Sequence, residues 1–534
     1  MPKRPPTPSK KAAAASLAEA LPASSPAERW FSYLRTTFGP ANGLYRLAPV
    51  LTLILALYVR FAVGLGSYSG EGVNPTYGDY EAQRHWMELT YHLPVDQWYT
   101  YSPDYWRLDY PPLSAYVSWV CGAVAHWLDS AWVALESSRG IETPDSKVFM
   151  RTTVVVAELL VYIPAVYLFL RGRPRGGTTA HVSTSRSGSD WVRNQTLWLL
   201  VLLQPALILI DHGHFQYNAV MLGCVVWMLV AFQRRRYLLG AVSFCLALAF
   251  KQMALYFAPA VFAYLLGICF QSPRGPRLFI QLGITVVATF ALCFLPFLTA
   301  PDHLRQVFTR IFPVARGLYE DKVANVWCAS NVVLKLRHVW KLEALVKLSA
   351  TATLAALLPA CYDVFRRPQI TRLLYALAVS ALAFFLLAFQ VHEKSILIPA
   401  LPITLLMDRE RTLSFLFVNV AVFSMFTLLE RDGIVLAYAV VTLFWNWLGG
   451  FPFNVRNPYL KLGTWAFFAV VAVIHLMDAL VQPPARYPHI YIVINVIFSC
   501  GMFCLFYLYL NYRQFHLPAL TTPASKTKLV SKKA

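Results

Sequence analysis

The chain is organised as a series of long apolar runs separated by short polar connections. A bilayer core about 30 Å thick needs roughly 20 apolar residues per helix, and runs near that length recur along most of the sequence. Two shorter runs, 237–250 and 396–407, bring the predicted number of transmembrane helices to about fourteen. The other predicted spans are 47–66, 148–170, 192–210, 215–232, 253–271, 278–298, 340–361, 373–390, 413–429, 434–450, 463–481 and 489–511. This pattern predicts an all-α polytopic membrane protein.

Composition supports that class and excludes another. The 534 residues are 57% hydrophobic and only 14% charged, whereas soluble domains carry about 25% charged residues. The net charge of +20 comes from short basic clusters between the apolar runs, which is how a membrane protein marks its cytoplasmic side. We therefore expect membrane lipids around this chain and no nucleic-acid partner.

The basic clusters also predict the orientation of the chain. The segment before the first run is basic, so the N-terminus is predicted to be cytoplasmic. The connections "RGRPRGG" (171–177) and "QRRR" (233–236), and the Lys-rich C-terminus, then also lie in the cytoplasm, provided that the apolar stretch 113–135 does not cross the membrane. That stretch follows Pro-Pro and carries three tryptophans, which is typical of a helix at the membrane interface.

This topology predicts five parts. Residues 1–46 and 512–534 are basic cytoplasmic tails, the first of them predicted to be disordered. Residues 47–298 form a first membrane module, whose first luminal loop, 67–147, holds juxtamembrane helices. A long luminal loop, 299–339, connects it to a C-terminal transmembrane module, 340–511.

Ionisable residues concentrate in the luminal connections, first of all in "YGDYEAQRHW" (77–86). One interpretation is a helix start, with Asp79 as the N-cap and Glu81 facing the positive end of the helix dipole. The other is a general base at the lipid–water boundary, where partial burial shifts its pKa. Arg84 and His85 would then orient a carboxylate or hold a phosphate.

Two further luminal motifs carry candidate polar contacts. In "LDYPPL" (108–113), a helix start at Asp109 is the favoured interpretation, since two prolines follow. "DHGHFQYN" (211–218) offers His214 and Gln216 for contact with a sugar or for interfacial hydrogen bonding. A metal is not favoured there, because no third ligand is well spaced.

Cationic candidates occur in three places. "VHEKS" (391–395) places His392 and Lys394 where they could neutralise a lipid phosphate, with snorkelling to the headgroups as the alternative. Lys251 is a candidate of the same kind. The long luminal loop carries Arg316 together with the acidic Glu320 and Asp321, and loops of that length are often functional.

Several motifs are absent from the sequence. It contains no DxD pair, GxGxxG or P-loop, and no CxxC or zinc-ligand spacing. Their absence weighs against a sugar-nucleotide donor held by a metal. We therefore predict no metal and no cofactor, and a donor whose phosphate is neutralised by Arg, Lys and His.

Together these stretches resemble the multispanning glucosyltransferases that build the lipid-linked oligosaccharide for N-glycosylation, which have the GT-C fold. The resemblance runs from about residue 66 to residue 397. It is carried by "GDYEAQRHW", "WRLDYPPLSAY", "SRGIE", "FMRTTVVVAELLVYIPAV", "DHGHFQYN", "FPVARGLYEDKVANVWC" and "FQVHEKSIL". "GDYEAQRHW", "KQM" (251–253) and "EDKVAN" (320–325) are similar to the enzyme that adds the first glucose, whereas His212 is similar to the one that adds the second.

The resemblance implies an inverting α-1,3-glucosyltransferase of the endoplasmic reticulum membrane, with its active site facing the lumen. It would move glucose from dolichyl phosphate β-glucose to the terminal mannose of Man9GlcNAc2 on dolichyl pyrophosphate, with residues 47–298 as the catalytic module and no obligate protein partner implied. The first luminal motif then supplies Asp79 as the general base. Donor binding is expected of His392, Lys394, Arg316, Lys251, His214 and Gln216, and acceptor or supporting roles of Glu81, Arg84, His85, Asp109, Tyr110, Glu320 and Asp321.

Three alternatives remain beside this hypothesis. The second-glucose enzyme, which acts on Glc1Man9GlcNAc2, differs only in its acceptor. A lipid or sugar transporter would often show inverted repeats and charges at mid-bilayer, but the sequence shows no repeat and gathers its charges at one face. A structural scaffold would not need charge clusters at so many luminal turns.

Overall fold

A computed structural model describes residues 25–39, 43–101, 104–172, 188–312 and 322–518. Within these ranges the chain forms helices, turns and loops, and no β-strand occurs. The α-helices are α1 Pro26–Thr37, α2 Ala48–Gly64, α3 Gly78–His92, α4 Pro112–Leu128, α5 Pro144–Arg171, α6 Gly188–Leu202, α7 Pro205–Ile208, α8 Asn218–Gln233, α9 Tyr237–Phe250, α10 Ala258–Gln271, α11 Gly275–Phe294, α12 Pro301–Ile311, α13 Val326–Leu334, α14 Leu336–Val339, α15 Leu342–Arg366, α16 Ile370–Leu387, α17 Leu397–Leu405, α18 Arg411–Ser424, α19 Phe426–Arg431, α20 Val435–Gly449, α21 Pro458–Leu480 and α22 Ile490–Phe515.

The membrane-spanning character predicted from the apolar runs is confirmed. In the described ranges, nine helical stretches are long and apolar enough to cross a bilayer, and four shorter apolar helices accompany them. Each of the predicted spans coincides with a helix, but the run 396–407 forms only the nine-residue α17. A helix of nine residues is about 14 Å long, too short to cross alone. The number of crossings therefore stays a prediction.

The N-terminal tail was predicted to be disordered up to residue 46, and this is wrong for α1. Ser25 and Glu28 form a capping box, in which the Ser25 hydroxyl accepts from the Glu28 amide and the Glu28 carboxylate accepts from the Ser25 amide. Pro26 occupies the first helical position, where its missing N–H is not needed. Phe31 is buried, so the helix is also held by packing.

The segment predicted as the first luminal loop, 67–147, is folded around two helices that pack against each other, α3 and α4. Ser114 of α4 donates a hydrogen bond to the Phe250 carbonyl at the end of α9, which ties the pair to the membrane module. The helix α4 is not among the candidate spans, as expected for the stretch 113–135. Its position at the membrane interface stays a prediction.

The long loop predicted at 299–339 contains the helices α12, α13 and α14. Trp327 at the start of α13 donates from its indole nitrogen to the Leu387 carbonyl at the end of α16, at 2.8 Å. Arg310 near the end of α12 donates to the Tyr99 carbonyl at 3.3 Å. The described parts of this segment are therefore docked onto the end of α16 and onto the chain at Tyr99.

The helices α2 and α5 are joined by an ion pair that is buried from solvent. Arg60 of α2 binds Glu158 of α5 through two hydrogen bonds of 2.6 Å, and both side chains are at most 1% exposed. His212 Nε2 donates to the same carboxylate, at 2.7 Å. A buried charge is stable only when it is paired and hydrogen-bonded, so this cluster fixes α2, α5 and the segment around His212 against one another.

Candidate active site

Asp79 is presented by a sharply constrained start of α3. Tyr77 and Gly78 have φ angles of 53° and 70°, and a Cβ on Gly78 would lie 2.6 Å from the Ser69 carbonyl oxygen. A side chain at position 78 would be strained by the positive φ and would also collide with the Ser69 backbone, so this position requires glycine. The Ser69 hydroxyl accepts from the Asp79 amide at 3.2 Å. Asp79 is therefore the second helical residue and not the N-cap, and its carboxylate is free to act elsewhere.

The motif "DHGHFQYN" reaches Asp79 through a π-helical segment, Leu209–Phe215, that follows α7. Arg151 of α5 donates to the His212 carbonyl at 2.6 Å and to the Gly213 carbonyl at 3.0 Å. Asp211 accepts from the Asn218 side chain and from the Ala219 amide, both at 2.7 Å. The widened turn and these anchors set the position of the next residues, and π-helical turns are frequent at functional sites.

Three side chains converge on one oxygen of Asp79. His214 Nε2 lies 2.9 Å and Gln216 Nε2 lies 2.7 Å from Asp79 Oδ2, and Lys394 Nζ forms an ion pair with the same oxygen. Among the described residues, none is hydrogen-bonded to Oδ1, and the side chain is 25% exposed. Within the described residues, one oxygen of Asp79 is thus held by three side chains, while the other makes no hydrogen bond.

The electrostatics of this cluster keep Asp79 ionised. Burial alone would raise its pKa, but the charge of Lys394 and the hydrogen bond from His214 outweigh burial and hold the pKa of Asp79 well below its usual range. The carboxylate is therefore in the form that can accept a proton at neutral pH.

Lys251 lies behind this cluster. It is 1% exposed and donates to Gln216 Oε1 at 3.1 Å and to Asn218 Oδ1 at 2.7 Å. The Tyr110 hydroxyl also approaches Gln216 Oε1, at 3.3 Å. An ammonium group can only donate hydrogen bonds, so Lys251 must contact the amide oxygen of Gln216 and not its NH₂ group. This contact leaves the NH₂ group directed at Asp79.

The residues Glu81, Arg84 and His85 form a separate, buried cluster on the other side of α3. Arg84 binds Glu81 at 2.6 Å and Glu88 at 2.8 Å, and it also donates to Ser138. Burial alone would raise the pKa of Glu88, but His85 and Arg84 lower it to about 2. With its donors occupied and only 2% of Arg84 exposed, the suggestion that Arg84 holds a phosphate does not fit this structure. The cluster instead fixes α3 to the segment 132–138.

The remaining predicted residues divide into two groups. His392 is half-buried and lies two residues before Lys394, directly ahead of the short helix Glu393–Ile396. Asp109 is half-buried and its carbonyl accepts from Gln252 at 3.4 Å, but α4 begins at Pro112, with Pro111 as its N-cap, so Asp109 does not start the helix. Arg316, Glu320 and Asp321 lie outside the described residues.

Asp432 is a member of the site that the sequence analysis missed. Its carboxylate lies 2.6 Å from His214 Nδ1, on the side of the ring opposite Asp79. The available signal was its place in "LERDG" (429–433), a charged segment between the apolar runs 413–429 and 434–450. Nothing in that turn alone indicated which side chain it would meet.

The described residues contain no group of three or more His, Cys, Asp or Glu side chains placed to hold a metal ion. The charge at the site comes instead from Lys394, with His214 between two carboxylates. This arrangement fits a reaction in which protein cations receive an anionic leaving group.

Comparison with known proteins gives the site its context. A profile of the ALG6, ALG8 glycosyltransferase family matches residues 54–509, which covers most of the chain and all the elements that meet at Asp79. The chain belongs to the ALG6, ALG8 glycosyltransferase family. It is thus a glycosyltransferase of the GT-C type, as the resemblance implied.

Individual members of the family are similar along nearly their whole length. The chicken protein named dolichyl pyrophosphate Man9GlcNAc2 alpha-1,3-glucosyltransferase is 42% identical over 500 residues, covering 86% of this chain and 95% of its own. The Schizosaccharomyces pombe protein named as a probable enzyme of the same kind is 41% identical, with 87% and 91% covered. The Saccharomyces cerevisiae enzyme is 39% identical, with 88% and 92% covered.

Proposed function

We propose that this glycosyltransferase adds the first glucose to the lipid-linked oligosaccharide. It transfers glucose to the terminal mannose of Man9GlcNAc2 on dolichyl pyrophosphate and forms an α-1,3 linkage. The relatives' names support this acceptor and this linkage. Dolichyl phosphate β-glucose is the proposed donor, since the site offers cations for a phosphate leaving group.

The observation that carries the mechanism is the asymmetry of Asp79. Its Oδ2 accepts hydrogen bonds from the side chains of His214, Gln216 and Lys394. Oδ1 is left for the acceptor hydroxyl. Oδ1 takes the proton of that hydroxyl while the hydroxyl oxygen attacks the anomeric carbon of glucose. The bond from that carbon to the phosphate oxygen breaks, and dolichyl phosphate leaves as an anion. A β-linked donor and an α-linked product require one displacement with inversion.

Lys394 connects donor binding to the strength of the base. It is 19% exposed and is held by Asp79 in the structure, so its ammonium can be shared with a donor phosphate that arrives beside it. A phosphate that draws Lys394 away removes the charge that weakens Asp79 as a base. The base is therefore strongest when the donor is bound. His392, two residues away along the chain, is proposed to bind the same phosphate.

The proposal extends to location and to metal requirement. The protein is proposed to reside in the endoplasmic reticulum membrane with both termini in the cytoplasm and the Asp79 site in the lumen. Catalysis is proposed to need no metal, because cations of the chain take up the leaving phosphate. No obligate protein partner is proposed.

An acceptor assay tests this function directly. Purified protein in detergent is given dolichyl phosphate glucose and either Man9GlcNAc2- or Glc1Man9GlcNAc2-pyrophosphoryl dolichol, with and without EDTA. We expect glucose on the Man9 lipid alone, at the same rate with the chelator. Transfer to the Glc1Man9 lipid instead would identify a second-glucose enzyme, and loss of activity in EDTA that added metal restores would overturn the metal-independent mechanism.

A further inference from the structure

Asp432 is a buried carboxylate in the turn that separates α19 from α20, in the C-terminal transmembrane module. It is 3% exposed, and its carboxylate contacts His214 Nδ1 at 2.6 Å. The roles inferred for Asp79, His214 and Lys394 do not include it. A carboxylate buried to this extent needs a hydrogen-bonded, positively charged partner to stay ionised.

The geometry of His214 supplies that partner. Nδ1 faces Asp432 and Nε2 faces Asp79 at 2.9 Å, so each ring nitrogen points at a carboxylate oxygen. An ionised carboxylate can only accept hydrogen bonds, and a neutral imidazole has only one N–H to give. Both contacts are satisfied together only when His214 carries two protons. His214 then carries a positive charge between the two carboxylates, and Lys394 adds a second one beside Asp79.

We propose that Asp432 is a positioning residue for glucose transfer, which holds the His214 ring in one orientation and in its doubly protonated form. His214 in that form donates to Asp79 Oδ2 and keeps the base ionised, with Oδ1 turned toward the acceptor. This inference rests on the proposed role of Asp79 as the base. It also assigns part of the catalytic arrangement to the C-terminal module.

The other contacts of this region do not fix the ring. Arg151 holds the carbonyl oxygens of His212 and Gly213, and the Ser69 amide donates to the His214 carbonyl at 3.2 Å. These bonds place the backbone and leave the side-chain torsions of His214 open. The charged groups that face the ring are Asp79 from α3, Asp432, and Lys394, whose Nζ lies 3.4 Å from Nε2. Among them only Asp432 contacts Nδ1.

The test replaces Asp432 by asparagine, which keeps the shape and removes the charge. Activity is measured per folded molecule, with kcat and both KM values, over a range of pH. We expect kcat to fall about 10- to 100-fold at neutral pH with little change in either KM, because the base is misdirected while the substrates still bind. We also expect the acid limb of kcat/KM to move up by about one pH unit. Without Asp432, His214 loses its second proton, and the positive charge that favours ionised Asp79 is lost with it.

Glu430→Gln is the matched control, because Glu430 lies two residues earlier and is exposed; its activity should equal that of the wild type. An Asp432→Asn protein with wild-type kcat and wild-type acid limb would overturn the inference. If this variant does not fold, Asp432→Glu and Asp432→Gln are compared, since they differ only in charge. Higher kcat in the glutamate variant supports the inference, and equal kcat overturns it. An inactive wild-type protein would instead contradict the proposed function.

Discussion

Lys394 and Asp79 are separated by 315 residues in the sequence and form an ion pair in the folded protein. Lys394 lies between α16 and α17, and Asp79 lies at the start of α3. Their contact brings together two segments that are far apart in the chain. It also means that the proposed base and the proposed phosphate ligand are in direct contact before any substrate arrives.

Replacing Lys394 by methionine should separate its two effects. Removing the ammonium takes away the attraction that lowers the pKa of Asp79, so that pKa rises. Because only ionised Asp79 accepts a proton, the acid-side fall of kcat/KM should begin at higher pH than in the wild type. The KM for the donor should also rise, since a phosphate ligand is lost.

Lys394→Arg is the control, because it keeps the positive charge; its acid limb should stay close to that of the wild type. The measurement is a pH series of initial rates at low donor concentration. An unchanged acid limb in the methionine variant would show that Lys394 does not set the ionisation of Asp79.

Lys251 offers a second test. It distinguishes phosphate binding, which the sequence predicted for this residue, from orientation of Gln216, which the structure indicates. As a residue that orients Gln216, its replacement by methionine should lower kcat about tenfold, which corresponds to about 1.4 kcal/mol in the transition state. The donor KM should change little, because Lys251 is 1% exposed. Tyr110→Phe removes the longer, neutral contact to the same oxygen and should have the smaller effect.

The opposite kinetic pattern would favour direct phosphate binding by Lys251. A Lys251→Met enzyme with unchanged kcat and a strongly raised donor KM would contradict the orienting role. Steady-state kinetics with the donor varied at saturating acceptor distinguish the two outcomes.

The buried pair of Arg60 and Glu158 should control stability. Glu158→Gln leaves the Arg60 guanidinium buried without its counter-charge, and breaking such a pair costs about 3–5 kcal/mol. The double variant Arg60→Met with Glu158→Gln removes both charges and should regain most of that loss. Thermal unfolding in detergent is measured for the wild type, for the single variants Glu158→Gln and Arg60→Met, and for the double variant. If the losses of the two single variants simply add in the double variant, the side chains are not coupled as the structure indicates.

The sequence predicted the membrane class and much of the site, because apolar runs and the clustering of ionisable residues are local signals. Asp79, His214, Gln216 and Lys394 were all candidates, and the structure brings them together. Their mutual arrangement was not predictable, because it depends on a π-helical turn and on packing between helices distant in sequence. Lys251 was expected at a phosphate, whereas it is buried behind Gln216.

Two other features show where local reasoning did not suffice. Arg84 was expected to orient a carboxylate or to hold a phosphate, because it lies near Asp79 in sequence, yet residues five positions apart on a helix point in different directions. Glu81 and Glu88 lie three and four positions from Arg84, and both form ion pairs with its guanidinium group. In contrast, the capping box that starts α1 was readable in "SPAE" (25–28) and was overlooked beside the basic residues of the tail.

The central claim is that Asp79 is the base of glucose transfer, and Asp79→Asn tests it most directly. Asp145→Asn is the matched control, since Asp145 is likewise the second residue of its helix, α5, and is exposed. With dolichyl phosphate glucose and the Man9GlcNAc2 lipid, the control should transfer glucose at the wild-type rate. Asp79→Asn should fold normally and lose about 10²- to 10⁴-fold in kcat, the usual contribution of a general base. Transfer by Asp79→Asn at near the wild-type rate would contradict the account.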